Sequence, residues 1–138
     1  MPGLTLADAR IALDAGLAEA DVIGQPMNIA VVDDGGHLLA FARQDGAIRA
    51  SIDIAQRKAT TSILMEAPTA ALMPLVQPGA ELYGLEQTAG GMVVFGGGIP
   101  VFRDGRLVGA VGVSAGSAEQ DVAVATAAVA AISTPVPA

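Results

Sequence analysis

The chain predicts an α+β domain: a mainly antiparallel, five-stranded sheet with flanking helices, in the order α-ββ-α-(α)-βββ-α. Three observations carry that expectation. Asp33-Asp34-Gly35-Gly36 and Asp104-Gly105 each separate two runs of β-forming residues, so each reads as the turn of a hairpin. Apolar residues recur at helical spacing near the start, in the middle and near the end of the chain. No strand-helix-strand repeat joins these segments, which leaves hairpin pairing as the organising device.

Each element has its own local reason. Thr5, with Asp8 three residues on, opens a helix whose apolar positions Ala9, Leu13, Leu17 and Ala20 run to Ile23, where Gly24-Gln25-Pro26 stops it. Met27 to Val32 and His37 to Arg43 form the first hairpin, closed by Gln44-Asp45-Gly46. Ala50 to Glu66 reads as a helix with Ile52, Ala55, Ala59 and Ile63 on one face and Lys58 off it. Prolines 68, 74 and 78 interrupt the next stretch, giving one short helix and a loop. Met92 to Phe95, apolar and bracketed by glycines, reads as a buried strand. Ile99 to Arg103 and Arg106 to Ser114 form the second hairpin. Ser117 and Gln120 form a capping box that starts a helix reaching Ile132. Residues 1–132 make a single domain, and the Pro-rich tail 133–138 is expected to be disordered.

Composition narrows the partners. A net charge of −7 opposes the neutralisation of phosphates on which nucleic-acid binding rests. Apolar runs are too short and too broken to span a bilayer, so neither nucleic acid nor membrane is an expected partner. The lack of cysteine and of a leader-like N-terminus fits a cytoplasmic location. With 7 basic and 14 acidic residues, the surface of a monomer this size carries only about one charge per 300 Å². A face covered by other copies accounts for that sparseness, so a homo-oligomer is expected.

Gly96 to Phe102 (GGGIPVF), Leu107 to Asp121 (LVGAVGVSAGSAEQD) and the alanine-rich helix after them resemble the signature of the GlcG/HbpS-like haem-binding family, similar to the C-terminal domain of PduO-type proteins. The likeness extends through Ile29 to Ala47, Asp53 to Ser62, Ala67-Pro68-Thr69 and Leu82-Tyr83-Gly84. It implies a five-stranded antiparallel sheet and a small-molecule ligand, haem or a related tetrapyrrole, as cofactor.

Two chemistries remain open. In the binding reading, the pocket draws on Lys58, Tyr83, Gly97, Gly98, Ser114, Gly116, Ser117 and Glu119, around glycine-rich corners whose N–H groups face a ligand. Haem needs an axial donor, and His37 is the one histidine, although its place after a turn suits a solvated residue first. Some members of the resembled family ligate haem through a histidine of the first helix, which this chain lacks. The methionines read as core filler. In the alternative reading the chain is an isomerase, hydratase or lyase, in which Lys58 with Glu86, Glu119 or Asp121 moves a proton next to a carbonyl. Residue inventory and spacing count against a transition-metal hydrolase and against a Ser-His-Asp triad, which would have to recruit His37 without a Gly-x-Ser-x-Gly elbow, and the glycines at 96–98 are not a dinucleotide fingerprint.

Overall fold

The structure, a computed structural model, describes residues 2–134. Three α-helices flank one antiparallel sheet: α1 (Leu6–Ile23), β1 (Asn28–Asp33), β2 (Leu38–Arg43), α2 (Ala50–Met65), β3 (Gly98–Arg103), β4 (Arg106–Ser114) and α3 (Ala118–Ala130). Two 3-10 stretches, Thr69–Val76 and Leu85–Gln87, lie between α2 and β3. Strand order is β2-β1-β4-β3. None of the described helices is long and apolar enough to cross a membrane.

The sheet therefore has four strands, not the expected five. Met92 to Phe95 is an apolar segment that joins no ladder. Two of its N–H groups find partners elsewhere: Met92 N–H donates to the Glu86 carbonyl, and Val93 N–H donates to the Thr61 hydroxyl of α2. Those two donors are thereby taken out of any ladder. Val94 packs instead with Leu72 and Val76 of the first 3-10 stretch. Of the tail expected at 133–138, residues 135–138 lie outside the described part of the chain.

Helices cover both faces of the sheet. On one face, Ile29 and Val31 of β1 join Val111 and Val113 of β4 in the main core, closed by Ala9, Ala12 and Ala20 of α1 and Val124, Ala125 and Ala128 of α3. On the other, Val32 and Ala110 meet Ala59 of α2. The seat of α2 is made by Gly98 and Gly112, which face each other in the β3–β4 register. A side chain at Gly112 would strike the Ala55 carbonyl, and one at Gly98 the Lys58 carbonyl, so the helix backbone rests directly on the strands. Close approach changes which face of α2 is buried. Ser51, Ala55, Lys58, Ala59 and Ser62 face the sheet, whereas Ile52 and Ile63 of the expected apolar stripe are only half-buried.

Both expected helix starts carry reciprocal caps. Thr5 and Asp8 exchange hydrogen bonds at α1, and Ser117 and Gln120 do so at α3. Asp8 does more than cap. Its carboxylate accepts from Arg103 Nη2 at 3.1 Å, and Arg103 also donates to the Ile132 carbonyl at 2.8 Å. One buried guanidinium thus ties β3 to the start of α1 and the end of α3.

Candidate functional site

At the end of the sheet where β3 begins and β4 ends, residues distant in sequence converge. Lys58 comes from the middle of α2, Gly97 from the bend before β3, Val113 from β4, and Gly116 and Asp121 from the corner and first turn of α3. Lys58 is fully buried. Its Nζ donates to Asp121 Oδ2 at 2.9 Å and to the Val113 carbonyl at 2.8 Å. The other Asp121 oxygen accepts the Gly116 N–H at 3.0 Å. Above Nζ lies the Phe95 ring, its centroid 5.0 Å away, a cation–π distance that covers the ammonium on its remaining side.

Burial pushes the Lys58 ammonium below its ordinary range and the Asp121 carboxyl above its own. Each partner's charge and hydrogen bond offset part of that cost, and for Asp121 the Gly116 N–H adds to the offset. Gly97 is required here by both conformation and space. Its φ is +132°, and a Cβ would come within 2.7 Å of Lys58 Nζ. Ala115, at φ +138°, holds the corner in a conformation that side chains rarely adopt.

Outside this buried pair, Phe95 forms one wall of an apolar groove of about 340 Å³, within the usual range for small-molecule pockets. Ala70 and Met73 of the 3-10 stretch, Gly96, and Ala118 and Val122 of α3 complete the lining, with Glu119 as its one charged residue. Met73 is 43% exposed there, and Gln77 Nε2 donates to its carbonyl at 2.9 Å.

The residues expected at a site divide accordingly. Lys58, Asp121, Gly97, Gly98 and Gly116 gather in or around the buried pair, and Glu119 lines the groove. Ser114 is close in sequence but turned elsewhere, its hydroxyl donating to Ser51 Oγ at 3.1 Å. Ser117 is spent on the α3 cap. Tyr83 is 67% exposed in the loop before the second 3-10 stretch and does not line the groove. Glu86 sits in that stretch and forms no ion pair with Lys58. His37 is exposed beside the β1–β2 turn, where its N–H donates to Asp33 Oδ1. Gly97 is level with Val113, which pairs with Ile29, so about 13 Å of β1 separates that level from Asp33. The groove and the histidine occupy opposite ends of the sheet. Among the described residues, no cluster of three or more His, Cys, Asp or Glu residues is placed to hold a metal ion.

Phe95 and Met73 are not among the expected site residues. Phe95 is legible as one of only three phenylalanines, next to the glycine run. Nothing local distinguishes Met73 from the other methionines.

The match to known proteins runs through this framework from end to end. A family model described as haem degrading protein HbpS-like matches residues 4–130. A 15.0 kDa protein from the dhaT-dhaS intergenic region of Citrobacter freundii is 44% identical over 119 residues, which cover 86% of this chain and 84% of that protein. The corrinoid adenosyltransferase PduO of Salmonella typhimurium is 42% identical over the same share of this chain, but the match covers only 35% of PduO. Among solved structures, the PduOC:heme complex superposes with a TM-score of 0.90 at 39% identity, covering 94% of this chain and 95% of that one. With a family model spanning all three helices and all four strands, and relatives above 40% identity, the chain belongs to the HbpS-like family.

Proposed function

We propose that the chain binds haem or a related tetrapyrrole in the apolar groove between the 3-10 stretch and the start of α3. The observation that carries this reading is the groove itself: an aromatic wall at Phe95 and aliphatic surfaces at Ala70, Ala118 and Val122 suit one apolar edge of a flat macrocycle. The haem complex of the 39% identical PduOC domain supports the choice of ligand. Haem, when bound, would supply the iron chemistry. The chain's part is to exclude water from one face of the ring and to hold the wall in place through the buried Lys58–Asp121 pair. The test is an optical titration with hemin. Saturation at a fixed stoichiometry supports the reading, and linear, unsaturable uptake overturns it.

The protein acts as a homo-oligomer in this account. The sparse surface charge supports this reading, and Val22 at 80% exposure, Ile48 at 61%, Leu64 at 52% and Leu38 at 50% are apolar side chains that a partner copy could cover. Light scattering should return a mass that is a multiple of 13.7 kDa, and a monomer mass would contradict it. A cytoplasmic location fits the cysteine-free composition, and cell fractionation tests it.

Acid–base catalysis by Lys58 is not part of this reading. Its ammonium is enclosed by Asp121, Val113 and Phe95, and Glu86 stands apart from it.

A further inference from the structure

The two edges of the sheet differ. An edge strand presents a row of N–H and C=O groups with which a strand of another chain can pair. At the β3 edge that row is closed: Pro100 has no N–H, and the Gly98 N–H donates to the Thr69 hydroxyl at 2.9 Å. At the β2 edge it is open. Gln44 N–H donates to the Met27 carbonyl, so by the alternation of an antiparallel ladder Ala42 and Ala40 turn their backbone groups inward to β1, and Phe41 and Arg43 turn theirs outward. None of the turn and loop hydrogen bonds among the described residues takes up those outward groups. β2 holds neither proline nor lysine to blunt it, and its register shift, opposite Val31 and Val32, leaves Ala40 to Arg43 regular.

The side chains along this edge suit a second copy. Arg43 pairs with Asn28, and Asn28 with Ser114, whose hydroxyl reaches Ser51 of α2, so this register faces the α2 side, as does Phe41 two residues back. There α2 packs on β1, β4 and β3, with β2 beyond its flank. Phe41 belongs to none of the core clusters, and Leu38, at the level of Val32, is half-exposed beside it. Charge is arranged end to end. Asp33 and Asp34 sit at the β1–β2 turn, while Arg43 and Arg49, with Asp45 between them in sequence, sit at the other end. Neither arginine joins an ion pair among the described residues. A second copy running antiparallel sets the acidic turn of each chain towards the arginine end of the other.

We propose that two copies of this chain pair antiparallel through β2, about a two-fold axis at Phe41, joining two four-stranded sheets into one. The proposal rests on the homo-oligomer reading above and names the face it uses. A two-fold interface needs a self-complementary patch, and this edge is one: Phe41 meets its own counterpart as an aromatic cross-strand pair.

Light scattering and non-reducing gels on three variants test it. Phe41→Lys sets two ammonium groups against each other at the axis without entering the core. Phe41→Cys works in a chain with no other thiol, and residues paired in this way have Cα atoms about 5.5 Å apart, within disulfide reach. Val22→Cys, exposed on α1, is the control for random collision. The expected results are a wild-type mass that is an even multiple of 13.7 kDa, at least halved in Phe41→Lys with cooperative unfolding kept, and a covalent dimer on mild oxidation of Phe41→Cys well beyond that of Val22→Cys. Should Phe41→Lys fail to fold, the cross-link decides alone. An oligomeric wild type with no cross-link beyond the control, or a folded Phe41→Lys with the wild-type mass, overturns the edge pairing and leaves the oligomer standing. A monomeric wild type, whether another protein or nothing covers its edge, overturns both.

Discussion

Lys58 Nζ stands 2.9 Å from Asp121 Oδ2, and both side chains are shut away from water. Neither charge is tolerable there alone. Taking two charges out of water costs several kcal/mol each, which their attraction repays only with good geometry and further hydrogen bonds. The Val113 carbonyl and the Gly116 N–H supply those bonds. Lys58→Met should therefore destabilise the fold by about 3–5 kcal/mol, because it strands a buried carboxylate. Adding Asp121→Leu should recover most of the loss. Urea unfolding of the two variants checks this, and a double variant as unstable as the single one would contradict it.

Gly97 and Gly105 separate space from conformation. Both have positive φ, but a Cβ at Gly97 would press on Lys58 Nζ, whereas one at Gly105 meets nothing within 4 Å. Gly105→Ala should cost about 1–2 kcal/mol, the penalty of a left-handed residue. Gly97→Ala should cost clearly more, and should weaken hemin binding by displacing Lys58 from beneath Phe95. Equal losses in thermal unfolding would show that the approach to Lys58 carries no weight.

The Asp8–Arg103 pair predicts a pH dependence. Burial alone raises the Asp8 carboxyl, but hydrogen bonds from Arg103 and from the Thr5 N–H and hydroxyl outweigh it and hold the group below its ordinary value of 3.8. Between the folded value and 3.8 the unfolded chain holds the proton and the folded one does not, so stability rises with pH in that window. The contribution is complete above the unfolded value and is lost as pH falls through the folded one. Asp8→Asn should cost about 1.5–3 kcal/mol near neutral pH, with the gap to wild type narrowing below pH 3.8. Urea midpoints at neutral and acid pH measure the gap, and a constant gap would contradict the assignment.

Ser117→Ala should cost about 0.5–2 kcal/mol through loss of the α3 cap. The groove wall at Ala118 and Val122 belongs to the start of that helix, so hemin affinity should fall with it. Binding that stays unchanged despite a measured loss of stability would separate the cap from the groove.

How far the sequence can be read depends on how local the cause is. Hairpins at Asp33–Gly36 and Asp104-Gly105, and caps at Thr5 and Ser117, are specified within four residues, and the structure has them. Met92 to Phe95 fails as a strand because its hydrogen bonds go to Thr61 and Glu86, partners that spacing does not reveal. Lys58 reads as lying off the buried stripe of α2 when that stripe is sought among large apolar residues. Gly98 and Gly112 bring the helix so close that Ser51, Ala55, Ala59 and Ser62 fill the contact, and Lys58 reaches through it to a residue 63 positions on.

Hemin titration of the wild type beside Ala70→Trp decides whether the groove beside Phe95 holds the ligand. Ala70 is an exposed part of the lining, so a tryptophan there fills the groove without entering the core. A ligand held in the groove gives saturable binding in the wild type and its loss in the variant, with thermal unfolding unchanged. Equal saturable binding by both proteins would place the ligand elsewhere.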